Sequence, residues 1–216
     1  MSSDRDDPGS TLLRDGERTK MIAAAADHLA KFFDILGIDY RADHNTRETP
    51  IRVARMFVEE LLRGKFNPPP DLTDFDNVES FDELIVMGPI DVRSTCAHHL
   101  MPIFGDAYIG VLPSTSGRII GLSKYDRVVD YFSGRFQIQE ELVQHIGQYI
   151  MARTLPRGVA VRISAVHTCK TQRGVRASYR SRMVTTSYFG ALSNDERRRD
   201  EFLRECSLLE RAPAYG

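Results

Sequence analysis

The chain has 216 residues, enough for one sizeable core with room for an extension on a single domain. Its 42% hydrophobic and 27% charged content fits a soluble globular protein rather than a fibrous or low-complexity one. A formal net charge of -1 supplies no global field to attract nucleic acid, so no nucleic-acid partner is expected and any anion site has to be local.

Residues 1–16 read as disordered, since Asp4, Asp6, Asp7, Pro8, Gly9 and Ser10 offer nothing to bury. The same stretch lacks an apolar signal region, and the run Met21 to Ala26 is broken at once by Asp27, His28 and Lys31. Neither a signal peptide nor a membrane span is expected, and the protein is read as cytoplasmic with no membrane partner. From Glu17 the apolar residues Met21, Ala24, Ala25, His28, Leu29, Phe32 and Phe33 recur at helical steps and end near Gly37. Thr49-Pro50 starts a second helix with the stripe Val53, Met56, Phe57 and Leu61, and Gly64 is read as its end. Asn67 to Pro70 form a breaker-rich connection.

The period changes at Leu84, Val86, Ile90 and Val92, which predict an extended segment, as does Phe104 to Leu112. A helix is expected after Ser123, with Tyr125, Val128, Val129 and Phe132 on one side, and another from about Gln137, carrying Leu142, Ile146 and Ile150. Past Pro156-Arg157-Gly158, the residues Val159, Val161, Ile163, Ala165, His167 and Cys169 alternate onto one face of a strand. Met183 to Leu192 reads as the last strand and Asp195 to Leu209 as a charged terminal helix. This order predicts an α+β fold with antiparallel pairing. The expected organisation is a helical extension over 17–80 and a catalytic domain over 81–216.

The three cysteines are an odd number, which argues against a disulfide framework and leaves metal binding or catalysis as their sharper uses. Cys96-Ala97-His98-His99 is the densest chemical cluster. Cys96 and His99 are three apart, a spacing at which thiolate and imidazole reach one ion. Cys169 is the best candidate for a third ligand, because alternation sends it and His167 to the core face. The spacing by itself leaves a second reading open, in which Cys96 is a small buried hydrophobe and His99 is merely hydrogen-bonded. Cys206 lies on the terminal helix without a nearby histidine, and packing or exposure explains it.

Lys124 and Arg127 fall in the first turns of a helix, where cations oppose the helix dipole unless an anion sits there. Solvation beside Asp126 is the competing account. Arg52 and Arg55 lie off the apolar stripe of the second helix, and Lys170, Arg173, Arg176, Arg180 and Arg182 form a basic run beside the candidate metal strand. Together these groups suit a polyphosphate. Each could equally be a solvated face. Gln139-Glu140 opens a helix off its apolar side. Its carboxylate can accept two parallel hydrogen bonds from guanine, or can be an ordinary first-turn glutamate.

These motifs share one order and spacing. From roughly Glu17 to Leu203 the chain resembles the GTP cyclohydrolase I family, through Glu48-Thr-Pro-Ile-Arg52-Val-Ala-Arg55-Met56, Cys96-Ala-His98-His99, Gly121-Leu-Ser123-Lys124 with Arg127, Gln137-Ile-Gln139-Glu140, His167-Thr-Cys169 with Arg173-Gly174, and Thr185-Thr-Ser187. The resemblance implies a tunnelling fold, an antiparallel strand pair, two helices and a second pair, behind an N-terminal helical extension. It implies stacked rings forming a homo-oligomer, commonly a homodecamer, with active sites between subunits. By position, Cys96, His99 and Cys169 would hold Zn2+, and His98 and His167 would move protons. Gln139 and Glu140 would hold guanine. Arg52, Arg55, Ser123, Lys124, Arg127 and Arg173 would hold the triphosphate. The implied reaction is hydrolytic opening of GTP to formate and 7,8-dihydroneopterin triphosphate.

The chain departs from the family at Ala97, where a glutamate is usual, and more mildly at Glu141, where a basic residue commonly follows. Three other readings compete: a paralogue opening GTP for a deazapurine or other specialised pathway, a tunnelling-fold nitrile reductase, and a non-catalytic zinc-containing binding module. The nitrile reductase would need a nucleophilic cysteine and reduced nicotinamide, and its signature residues are not visible.

Overall fold

The structure, a computed structural model, describes residues 10–211, so most of the segment expected to be disordered lies outside the described residues. The chain divides between Pro69 and Pro70 into two compact units. The first contains α1 (Asp15–Ile35), α2 (Thr49–Arg55), a π-helical turn (Met56–Leu61) and α3 (Arg63–Phe66). At the start of α1 the Arg14 N–H donates to the Glu17 carboxylate at 2.9 Å. At its end Gly37 takes φ 69°, and the Ile38 N–H donates back to Phe33 O, a closure that left-handed glycine permits.

The second helix begins at Thr49 as expected, but its buried face is not the predicted one. Ala54 and Val58 are buried with Ile22 and Phe66, whereas Val53, Met56, Phe57 and Leu61 are only half-buried. Periodicity picks out large apolar residues, while close helix packing selects the small Ala54. The backbone also slips: the Leu62 N–H donates to Phe57 O, five residues back, and this rotates the next turn relative to an α-helix. Gly64 does not end the helical run, which continues through α3 to the buried Phe66.

The second unit is built on a five-stranded sheet in the order β5-β2-β3-β6-β7. Its strands are β2 (Ile85–Cys96), β3 (Pro102–Leu112), β5 (Phe136–Gln137), β6 (Gly158–His167) and β7 (Met183–Gly190). All neighbours are antiparallel except β5, which runs parallel to β2. The short β1 (Asp74–Asp76) and β4 (Arg118–Ile120) pair separately. α4 (Ser123–Ser133) and α5 (Gln139–Thr154) cover one face. Val128, Val129, Leu142, Ile146 and Ile150 pack there on Val159, Val161, Ile163 and Ala165. Each fully buried aliphatic side chain contributes roughly 1.5–3 kcal/mol. α7 (Glu196–Arg211), reached through a 3-10 turn at Ala191–Ser193, packs Phe202 and Cys206 on the other face against Tyr108 and Ala160.

β3 and β6 approach closely at Gly105, where a Cβ would stand 2.1 Å from Ser164 O. β6 stops at His167, two residues short of the predicted strand end. Its last partner is Ile103, and β3 begins at Pro102, so no ladder remains to hold Thr168 and Cys169 extended. They form the helical turn α6 (Thr168–Thr171) instead.

Candidate active site

Cys96 ends β2, and the chain reverses at once through Ala97–His99 into β3. The Cys96 N–H donates to Met101 O, the Leu100 N–H to Cys96 O, and the Ala97 N–H to Gln137 O on β5. Leu100 closes the turn with φ 54°. On the other side, Thr168 Oγ1 donates to Pro102 O at 2.7 Å and ties α6 to the start of β3. That tie carries Cys169 to within 3.6 Å of Cys96, sulfur to sulfur. The ligand atoms of Cys96, His99 and Cys169 all lie within 4.8 Å of one another.

This arrangement passes a simple fit test. Tetrahedral zinc with bonds of about 2.3 Å to sulfur and about 2.0 Å to nitrogen places its ligand atoms roughly 3.5–3.8 Å apart. The sulfurs are already at that separation, far beyond the ~2.05 Å of a disulfide. Burial, and then the neighbouring Cys96 thiol, push the Cys169 thiol above its ordinary pKa. Two adjacent thiols resist forming two thiolates, and a divalent cation between them removes that resistance. Cys96 is buried, Cys169 half-buried and His99 exposed, so the group opens to one side.

Five further predicted residues gather here. His98 Nδ1 is 3.8 Å from Cys96 Sγ. His167, the last residue of β6, places its Nε2 2.9 Å from Gln139 Oε1. Burial lowers the His167 pKa, the Glu140 carboxylate opposes that shift, and Lys170 adds to it. Glu140 is exposed in the first turn of α5. Gln139 is not off the apolar side of α5 as expected; it is 1% exposed, because β6 and β7 cover that turn. Arg173 is exposed, and its charge acts on Cys169.

A cavity of about 340 Å³ is lined by His167, Cys169, Lys170, Ser181, Arg182 and Met183. Within the basic run, Lys170 Nζ donates to Ser181 Oγ, and Arg182 pairs with Asp106 at 2.7 Å, so these two cations serve the fold. Sequence reading passes over Thr185 as a side-chain anchor and Ser181 as a lining group. The alternation of β7 is the available signal for the first, and nothing local marks the second.

Three of the remaining phosphate candidates lie elsewhere in the second unit. Leu122 and Asp126 line a different cavity with Met87, Gly88, Pro89 and Ile90. The start of α4, with Ser123, Lys124 and Arg127, therefore sits beside the early part of β2. From Ile90 to Cys96 the strand runs on for roughly 20 Å. Within one chain these three residues and the cysteine cluster are at opposite ends of β2. Arg52 and Arg55 belong to the N-terminal unit, where Arg52 pairs with Glu48 at 2.7 Å and Arg55 lies 4.0 Å from Glu59.

The family model for GTP cyclohydrolase I matches residues 25–207. The chain belongs to the GTP cyclohydrolase I family. A GTP cyclohydrolase 1 of Thermobifida fusca (strain YX) is 40% identical over 71% of this chain and 73% of its own length. That of Pectobacterium carotovorum subsp. carotovorum (strain PC1) is 36% identical over 91% of this chain and 86% of its own. That of Escherichia coli O1:K1 / APEC is 37% identical over 88% and 83%. The GTP cyclohydrolase I match spans every candidate site residue from Arg52 to Arg173. Ala97 stands inside it, exposed on the turn between Cys96 and His98.

Proposed function

We propose that this protein hydrolyses GTP, opening the imidazole ring of the purine, releasing C8 as formate and forming 7,8-dihydroneopterin triphosphate. The observation that carries this reading is the family match over residues 25–207, within which Cys96, His99 and Cys169 stand at metal-binding distance. Incubating zinc-loaded protein with GTP tests it directly, by formate detection and pterin fluorescence. A loaded protein that leaves GTP intact refutes it.

Cys96, His99 and Cys169 would hold Zn2+. Zinc supplies Lewis acidity that lowers the pKa of a bound water to about 7. His98 and His167 move protons to and from the purine ring, a task suited to imidazole with its unperturbed pKa near 6.5. The exposed Glu140 accepts from N1–H and the exocyclic amino group of guanine. Gln139, the other residue the resemblance assigns to the base, would reach it only by giving up contacts its amide makes in the fold. Arg173 lies on the Cys169 side of the site. Ser123, Lys124, Arg127, Arg52 and Arg55 complete the triphosphate site.

The distance along β2 supports a shared site. One chain cannot bring Ser123, Lys124 and Arg127 to its own Cys96, but a neighbouring copy can. We therefore assign the protein to the tunnelling fold, with an N-terminal helical extension before the catalytic domain, and assembly as a homo-oligomer, a decamer by family analogy. Its place is the cytoplasm; no helix among the described residues is long and apolar enough to cross a membrane. Mixing tests the sharing. Lys124→Ala and Cys169→Ser proteins, each inactive alone, should regain part of the wild-type rate when unfolded and refolded together, because some sites combine two intact halves. No recovery in assembled mixtures would place both groups in one subunit's site.

Ala97 favours one second reading, the specialised paralogue. Alanine offers no acceptor to orient a neighbouring imidazole, and such partners are typically worth about 10–100-fold in affinity or activity. Ala97→Glu is expected to raise the rate of formate release while zinc content stays the same. An unchanged or slower rate means that alanine belongs to an altered pocket, and the paralogue reading replaces this one.

A further inference from the structure

Gln139 is a polar side chain buried to 1% exposure. The two hydrogens on its Nε2 are shared among three acceptors, Ile163 O on β6 at 3.1 Å and Met183 O and Thr185 Oγ1 on β7 at 3.2 and 2.9 Å. Two of these partners are backbone carbonyls, which can only accept. Reversing the amide would aim its oxygen at both of them, so the orientation is fixed: nitrogen toward the strands, Oε1 toward His167. Oε1 stands 2.9 Å from His167 Nε2. A carbonyl oxygen only accepts, so that imidazole nitrogen must carry the proton.

We propose that Gln139 is a positioning residue that holds His167 in its Nε2–H form and so makes Nδ1 the nitrogen exchanging a proton with the substrate. The sheet backbone sets the amide, and the amide sets the imidazole. This differs from holding guanine, which would need the same amide to face outward. It rests on the cyclohydrolase reading only for the reaction that His167 serves. A histidine with either nitrogen protonated would present the wrong group part of the time, and fixing the tautomer removes that loss.

The test uses [15N]histidine-labelled, zinc-loaded protein without GTP. Wild type should show a slowly exchanging Nε2–H signal from His167. Gln139→Met, similar in volume but without an acceptor, should lose it. Thr185→Val, which leaves both carbonyl contacts in place, should keep it. In steady state Gln139→Met should lose kcat by about 10–100-fold, as for other orienting partners, with KM for GTP little changed. A signal that persists in Gln139→Met, or a raised KM with kcat intact, overturns the proposal and returns Gln139 to the base. Zinc content and thermal melting show whether Gln139→Met has folded. If it has not, the wild-type spectrum decides, since absence of a protected Nε2–H overturns the proposal. A wild type that released no formate would refute the functional reading and still leave this one to the spectra.

Discussion

Cys169→Ser is expected to lose most of its zinc and at least about 10³-fold of its rate of formate release, the largest effect of any single change considered. A metal ligand must bind in deprotonated form, and a serine hydroxyl does not ionise near neutral pH as a zinc-flanked thiol does. Two remaining ligands hold the ion poorly. Without it, the pKa of the attacking water returns from about 7 toward 15.7. Cys206→Ala is the control. Cys206 lies on the sheet-facing side of α7, 1% exposed, and burial pushes its thiol up to about 12, so it is no thiolate at neutral pH. Elemental analysis of both variants checks the assignment. Equal metal content in the two would remove Cys169 from the ligand set.

Glu140→Ala should lower kcat/KM for GTP by roughly 10- to 150-fold, the equivalent of the 1.5–3 kcal/mol attached to hydrogen bonds with a charged partner. The carboxylate stands exposed in the first turn of α5. Adenine lacks the paired N1–H and amino donors that such a group reads. Hypoxanthine keeps only the first. The preference for GTP over inosine triphosphate should therefore narrow in the variant, while zinc content stays at the wild-type level. Loss of about 0.3–1 kcal/mol of helix stability is the only structural cost expected. Unchanged kinetics would show that the base is read by other groups.

The parts of this fold that are legible in the sequence are those with a long period. Val159 to Ala165 alternate for long enough to announce β6, and the apolar residues of α4 and α5 announce the layer that covers it. The three-residue β1 and β4 and the two-residue β5 have no period to read. Alternation brings Cys169 near the cluster for an incomplete reason. The pattern continues through it on paper, but an extended strand needs a ladder, and β3 supplies none past Ile103. The tie from Thr168 to Pro102 O is what delivers the thiol. Gln139 reads as solvent-facing, because local sequence gives no sign that β7 crosses above the first turn of α5. The separation of Ser123, Lys124 and Arg127 from the cysteine cluster is invisible for a related reason: spacing along the chain does not show which end of a strand a helix begins beside.

The placement of the cysteines has a consequence for folding thermodynamics. Cys96 and Cys169 are 73 residues apart in sequence, so a single ion held between them would join the β2–β3 turn to the end of β6. An ion so placed is a cross-link. Closing a loop of that length removes conformational entropy from the unfolded chain, worth about 4 kcal/mol if a metal clip acts as a disulfide does. That is a large share of the roughly 5–15 kcal/mol by which folded domains are stable. With zinc bound, the proposed reaction centre would double as the fastener of its own sheet, and the protein's resistance to heat would become a function of free zinc in its surroundings.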